Sequence, residues 1–158
     1  MGETVRKLPR DQYLKSIPRK RIAAGALYFN SAGELLIVKP NYQEQWNIPG
    51  GAGEVNESPQ ETCRREVNEE IGISQKFDKL LVIDHLFNHE TLDEALIFIF
   101  LGGTMTGKQL KKIKLKEDEL TEYAFKPINN CLSLLGPNMA KRLPYCINAI
   151  KKSFTVLV

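Results

Sequence analysis

One stretch, Pro49 to Ile73, narrows the possible folds more than the rest of the chain together. It opens with Pro49-Gly50-Gly51-Ala52-Gly53, a turn that only small residues permit. Ser58-Pro59-Gln60-Glu61 then fits a capping box with proline at the first helical position. Gly72 stands where a helix C-cap is expected. The spacing predicts a helix over about Pro59 to Ile71, docked beside a glycine-rich loop.

At ~100° per residue, with Glu66 set at zero, Glu70 falls at about 40° and Glu69 at about 300°. Three carboxylates therefore share one arc. Cys63, Val67 and Ile71 form the adjacent apolar arc that should face a core. Like charges at these spacings destabilise a helix by a few tenths of a kcal/mol per pair. A divalent cation would offset that, because hard cations take carboxylate oxygens. Glu57 can fold back toward the same arc, and Glu54 less directly. A solvated acidic face, with Arg65 as partner, is the better reading of the helix taken alone. The preceding loop shifts the balance: its glycines leave backbone amides open to a phosphate, and metals bridging carboxylates to phosphates neutralise a diphosphate.

Around this unit the pattern alternates between strands and helices. Ile22 to Phe29 and Glu34 to Val38, joined by Asn30-Ser31-Ala32-Gly33, read as a β-hairpin whose second strand ends at Pro40. Gln45 to Ile48 reads as a short strand running into the glycine turn. Lys79 to Phe87, Glu94 to Leu101 and Glu122 to Pro127 read as further strands. Ile128 to Leu135 and Pro137 to about Lys152 read as helices, and Lys108 to Glu119 as a loop with a helical turn. The expected class is α/β, a mixed sheet covered by helices. The expected organisation is a basic, partly ordered leader over 1–20, where Pro9 and Pro18 discourage a regular element, and a single domain over 21–158.

The 158 residues suit one core, and 42% hydrophobic with 26% charged residues is ordinary globular usage. The apolar run from Ala95 to Leu101 is far too short to span a bilayer, so no membrane partner is expected. The basic start lacks an apolar h-region, which argues against a secretory signal; the expected address is the cytoplasm. The net charge of +3 is mild. Its clusters, Arg6 to Arg21 and Lys108 to Lys116, read first as solvated surface and otherwise as a basic rim that attracts polyphosphates; they contain no nucleic-acid-reading motif, so nucleic acid is not an expected partner. Cys63, Cys131 and Cys146 match no zinc spacing and read as packed, reduced thiols. His85 and His89 read as strand or loop residues rather than as a metal pair.

From Gly51 the chain runs five residues to Glu57, seven more to Arg65, and then Arg65-Glu66-Val67-Asn68-Glu69-Glu70-Ile71-Gly72-Ile73. This resembles the Nudix box at every fixed position. Seven identities at about 7% usage each arise by chance on the order of once in 10⁸ windows. Trp46-Asn47-Ile48-Pro49-Gly50 is similar to the family's usual lead-in. Asn56 departs softly, since many members carry glycine there, and little consequence is expected. Outside the box the likeness is architectural only.

The resemblance implies an α/β/α sandwich with a mixed β-sheet, the Nudix fold, and a divalent-metal-dependent pyrophosphohydrolase. The cofactor would be Mg²⁺ or Mn²⁺. Its ligands would be Glu66, Glu69 and Glu70, with Glu57 assisting. Arg65 would hold a glutamate side chain in position, and Gly50 and Gly51 would meet the substrate. Glu66 and Glu69, with Arg65 positioning, would form the catalytic set. The base would be a box glutamate or a later carboxylate such as Glu119 or Glu122. The substrate would be a small nucleotide or nucleotide-like diphosphate, by default a nucleoside triphosphate, standard or not, cut to monophosphate and pyrophosphate. Which nucleotide, and whether the chain forms a homodimer, stay open. Two alternatives are a non-catalytic nucleotide-sensing module, which usually loses box glutamates, and an isoprenoid-diphosphate isomerase, which needs a cysteine and more histidines.

Overall fold

The computed structural model describes residues 8–88, 90, 93–152 and 155–157; His89 and the first seven leader residues lie outside them. The chain opens with helix α1 (Arg10–Ser16). Two prolines were expected to discourage structure here, and instead they bracket it. Pro9 needs no N–H at a helix start, and its carbonyl accepts from Tyr13 N–H at 2.9 Å. Ile17, before Pro18, is extended and ends the helix. None of its residues is buried.

Strands β1 (Arg21–Phe29) and β2 (Leu35–Pro40) follow, paired antiparallel at Phe29 and Leu35. Beyond that point they splay, and the freed edge of β1 takes β3 (Gly50–Ala52), with Ala23 opposite Ala52 and Gly25 opposite Gly50. The short strand expected at Gln45 to Ile48 is therefore displaced to the glycine turn itself. Gln45 to Ile48 instead links β2 to a later helix end: Asn47 bridges Val38, and Trp46 N–H donates to the Leu134 carbonyl at 3.0 Å. Only glycine fits at position 50, where φ is +148° and a Cβ would stand 2.4 Å from the Ala24 carbonyl oxygen.

Helix α2 (Pro59–Ile71) has the predicted bounds, with a reciprocal Ser58–Glu61 capping box and Gly72 left-handed at φ 72°. Asn56 has φ 67°, a conformation asparagine tolerates, so its departure from glycine is accommodated. Next come β4 (Leu80–Asn88), β5 (Asp93–Thr104), the short α3 (Gly107–Leu110), β6 (Leu120–Lys126), α4 (Ile128–Leu134), α5 (Pro137–Lys152) and β7 (Val156–Leu157). The two-residue β7 was not expected; it runs parallel to β4.

The strands form one mixed sheet in the order β6-β2-β1-β5-β4-β7, with β3 on β1. β1 and β5 are parallel neighbours at its centre. Both are covered on each face, which is why they read as continuous apolar runs. One face packs α2 through Cys63, Val67 and Ile71 against Ala24, Ala26 and Tyr28. The other packs α4 and α5 through Cys131, Met139, Leu143 and Cys146 against Leu27, Ile37 and Ile99. The result is an α/β/α sandwich, open at one place, where β1 and β2 part around β3. No helix among the described residues is long and apolar enough to cross a membrane.

Candidate active site

Burial of the Cys63–Val67–Ile71 arc fixes the roll of α2 against β1, and that roll turns the neighbouring carboxylates toward β3. Glu70 is 9% exposed and accepts from Gly50 N–H at 2.8 Å. Glu66 lies over Gly51, where a Cβ would come within 2.6 Å of its carboxylate. Two glutamates and two glycines therefore meet at one edge of the sandwich, and any side chain at position 51 would close the space between them.

Arg65 ties this edge together. Its Nη2 donates to the Ala52 carbonyl at 2.8 Å, binding α2 to β3. Its Nε and Nη2 grip Glu57 at 2.7 and 3.0 Å, and its Nη1 reaches Glu66 at 2.8 Å and Glu69 at 3.5 Å. Glu57 also accepts from Thr62 Oγ1 at 3.0 Å and from Glu54 N–H at 2.9 Å. A carboxylate offers about four lone-pair sites; three of these four bonds fall on Oε2 and one on Oε1, so Oε1 keeps capacity to accept. The Arg65 hydrogen bond first, then the Glu54 amide, draw its pKa down to about 2. Glu69 is the most exposed member, with 42% of its side chain accessible.

Glu70 has the opposite electrostatics. Burial raises its pKa from 4.5 to about 8; the Gly50 amide opposes the rise, Glu66 and Glu119 add to it, and Lys116 counters it. Glu119 and Lys116 are brought here by the segment after α3. Lys116 N–H donates to the Glu70 carbonyl at 3.0 Å, and its ammonium pairs with Glu119 at 2.6 Å. The loop after β2 is pinned to the same segment, since Asn41 N–H donates to the Glu119 carbonyl at 2.9 Å. Tyr42 on that loop is 74% exposed. Burial, then the charges of Glu70, Glu119 and Glu66, raise its phenol pKa. Of the two later carboxylates expected near the site, Glu119 faces Glu70. Glu122 is exposed on β6 opposite Lys39. Lys116 is the last residue of the basic cluster from Lys108 noted in the sequence, and Tyr42 was not foreseen.

Among the described residues, no three acidic, histidine or cysteine side chains are already gathered as a coordination shell. Arg65 draws Glu57 and Glu66 to itself, and Gly50 holds one oxygen of Glu70. The donors nonetheless fit a hard divalent cation. They are carboxylate oxygens, one of them raised in pKa by burial beside like charge, around a space kept open by Gly51. His85 pairs instead with Glu94, at 3.0 Å. Cys63 is fully buried and its thiol pKa is pushed far up by burial, which makes it a packing group and not a nucleophile.

Arg142 on α5 was not foreseen either. It sits in the helix's apolar stripe with Met139, Leu143, Cys146 and Ala149. An arginine inside an otherwise apolar 3.6-residue period is the signal that was available.

Compared with known proteins, residues 19–146 match the NUDIX domain family. An RNA pyrophosphohydrolase of Hamiltonella defensa is 31% identical over 77 residues, which is 49% of this chain and 47% of that protein. Diphosphoinositol polyphosphate phosphohydrolase 2 of Rattus norvegicus is 41% identical over 63 residues, 38% of this chain and 35% of that one. The matched stretch thus spans less than half the length of these curated relatives. A solved structure of a MutT protein from Methanosarcina mazei superposes with TM-score 0.70 and 24% identity, covering 86% of this chain and 99% of that one; it shares the fold.

Proposed function

The chain belongs to the Nudix family, and on that premise we propose that it is a divalent-metal-dependent pyrophosphohydrolase acting on a nucleotide. One observation carries the reading: Glu66 and Glu70 converge on the open backbone of Gly50 and Gly51. Carboxylates gathered beside a stretch without side chains suit two adjacent phosphates bridged by a cation, and a lone monoester would use only part of the site.

Glu66, Glu69 and Glu70 would hold Mg²⁺ or Mn²⁺. When bound, the cation supplies the charge that offsets a diphosphate and makes water acidic enough to attack. Glu57 has the role of a buttress that also assists with the cation: with Arg65 it fixes the distance between α2 and β3, and its Oε1 accepts only one of the four bonds. Arg65 is accordingly a positioning residue. Glu69 and Glu119 are accessible carboxylates, each with 42% of its side chain exposed, and each can take a proton from attacking water. Within this reading a nucleoside triphosphate gives a monophosphate and pyrophosphate.

The test is a panel of nucleoside triphosphates, dinucleotide polyphosphates, nucleotide sugars and simple monoesters, incubated with Mg²⁺ or Mn²⁺ and followed by released phosphate and pyrophosphate. Cleavage of anhydrides, silence on monoesters and full inhibition by chelator are expected. Turnover in excess chelator, or monoester cleavage at a comparable rate, would contradict it.

A further inference from the structure

The sheet leaves one long strand with an open side. β6 stands at the end of the order β6-β2-β1-β5-β4-β7, and among the described residues no strand lies beyond it. The other end is β7, only two residues long. An open strand edge is a template for a further strand, and β6 is the end with the length to serve as one. We propose that this edge pairs antiparallel with the same edge of a second copy of the chain, about a two-fold axis at Ala124, so that the two sheets run on as one.

Which backbone groups of β6 point outward follows from β2. Val38 N–H donates to the Asn47 carbonyl at 2.8 Å, and Asn47 N–H donates back at 2.9 Å. Val38 therefore spends its bonds on the side away from β6 and gives none to Tyr123, its register partner there. Bonded and unbonded pairs alternate along an antiparallel ladder. Ala124 and Lys126 thus face Ile37 and Leu35 of β2, while Tyr123 and Phe125 turn N–H and C=O to the open side. The side chains alternate as well. Tyr123 and Phe125 share one face of the strand, where their rings meet edge-on at 6.4 Å, and Tyr123 is 41% exposed. Glu122, Ala124 and Lys126 share the other face.

The charges identify the occupant. Among the described residues neither Glu122 nor Lys126 forms an ion pair; Lys39, which stands opposite Glu122, pairs with Glu44. Charges on an edge ordinarily discourage pairing. These two are opposite in sign and equally far from Ala124 along the strand. With the axis at Ala124, Glu122 of each copy faces Lys126 of the other, and Tyr123 of each faces Phe125 of the other. Tyr123 and Phe125 then exchange their outward backbone bonds, and the charges fall in the closer, non-hydrogen-bonded pairs. An axis at Tyr123 would set Glu122 against Ala124 and leave both charges unanswered. A strand of another sequence would have to reproduce this spacing of charges and rings, whereas a second copy has it by symmetry.

The experiment is sedimentation velocity of the whole chain from about 1 to about 100 µM, the range in which a small interface associates. A concentration-dependent dimer is expected. Glu122→Lys and Lys126→Glu each turn two attractive pairs into two repulsive ones and should weaken it by about tenfold or more. The double variant E122K/K126E puts opposite charges face to face again and should recover the dimer. Ala124→Cys provides a second readout. Cα atoms in a non-hydrogen-bonded pair lie about 4.5 Å apart, within reach of a disulfide, so mild oxidation should give a covalent dimer that reductant dissolves. The unmodified chain, whose three cysteines are buried, should give none. A monomer throughout the range, a dimer indifferent to the single reversals, or a double variant no better than the singles would overturn the assignment. If the reversals do not fold, the unmodified chain and A124C decide: a dimer that does not cross-link at position 124 overturns it too.

Discussion

Glu70 answers two opposed demands. Its buried position and neighbouring charges favour the neutral acid, with a pKa raised to about 8, while ligation of a cation needs the carboxylate. The raised folded-state pKa means that the stabilising contribution of the neutral form is complete below the unfolded value of 4.5. It is lost as pH rises through about 8. Glu70→Gln keeps an acceptor for Gly50 N–H and cannot ionise. In chelator at pH 9 it should melt above the unmodified chain, by about 2–4 °C for each kcal/mol relieved. Near pH 4 the two should coincide. The same substitution should lower turnover by ~10²-fold or more, as removal of an electrostatic stabiliser does. Thermal scans at the two pH values and one kinetic comparison check both halves. A Gln variant melting lower at pH 9, or turning over normally, would refute this account of the residue.

At the scale of elements, α2 was legible because everything that defines it is local. The capping box, the proline, the apolar arc and the C-cap glycine lie within fifteen residues, and each has the geometry its type implies. Ser58→Ala should accordingly cost about 1 kcal/mol, read as a lowered denaturation midpoint with an unchanged slope. A shift within error would show that the cap is idle. What the sequence hid was non-local. Gln45 to Ile48 has the apolar content of a strand, but strand pairing went to Gly50–Ala52 because the freed edge of β1 lies against them. The Arg142–Asp84 pair joins residues 58 apart, and no local pattern announces it. Glu119 was one of two later carboxylates in view. Backbone bonds distant in sequence, from Lys114 to Ile71, from Lys116 to Glu70 and from Asn41 to Glu119, bring it to the site.

At the scale of the whole molecule, the candidate site lies where the sandwich is seamed: α2 on one face, α5 on the other, and β3 between them. Ligation there should stabilise the fold by mass action, since the unfolded chain gathers no such set of carboxylates. Saturating Mg²⁺ should therefore raise the melting temperature of the unmodified chain, and raise that of Glu70→Gln far less. A scan silent to Mg²⁺ and Mn²⁺ alike would count against a site built on α2. The most direct test of the central claim is the fate of water during turnover. With a nucleoside triphosphate and Mg²⁺ in ¹⁸O-labelled water, the account predicts the monophosphate and pyrophosphate as first products. A single labelled oxygen should appear in one of them, and no reaction should occur in chelator. Orthophosphate released first and carrying the label, with no pyrophosphate at early times, would contradict it.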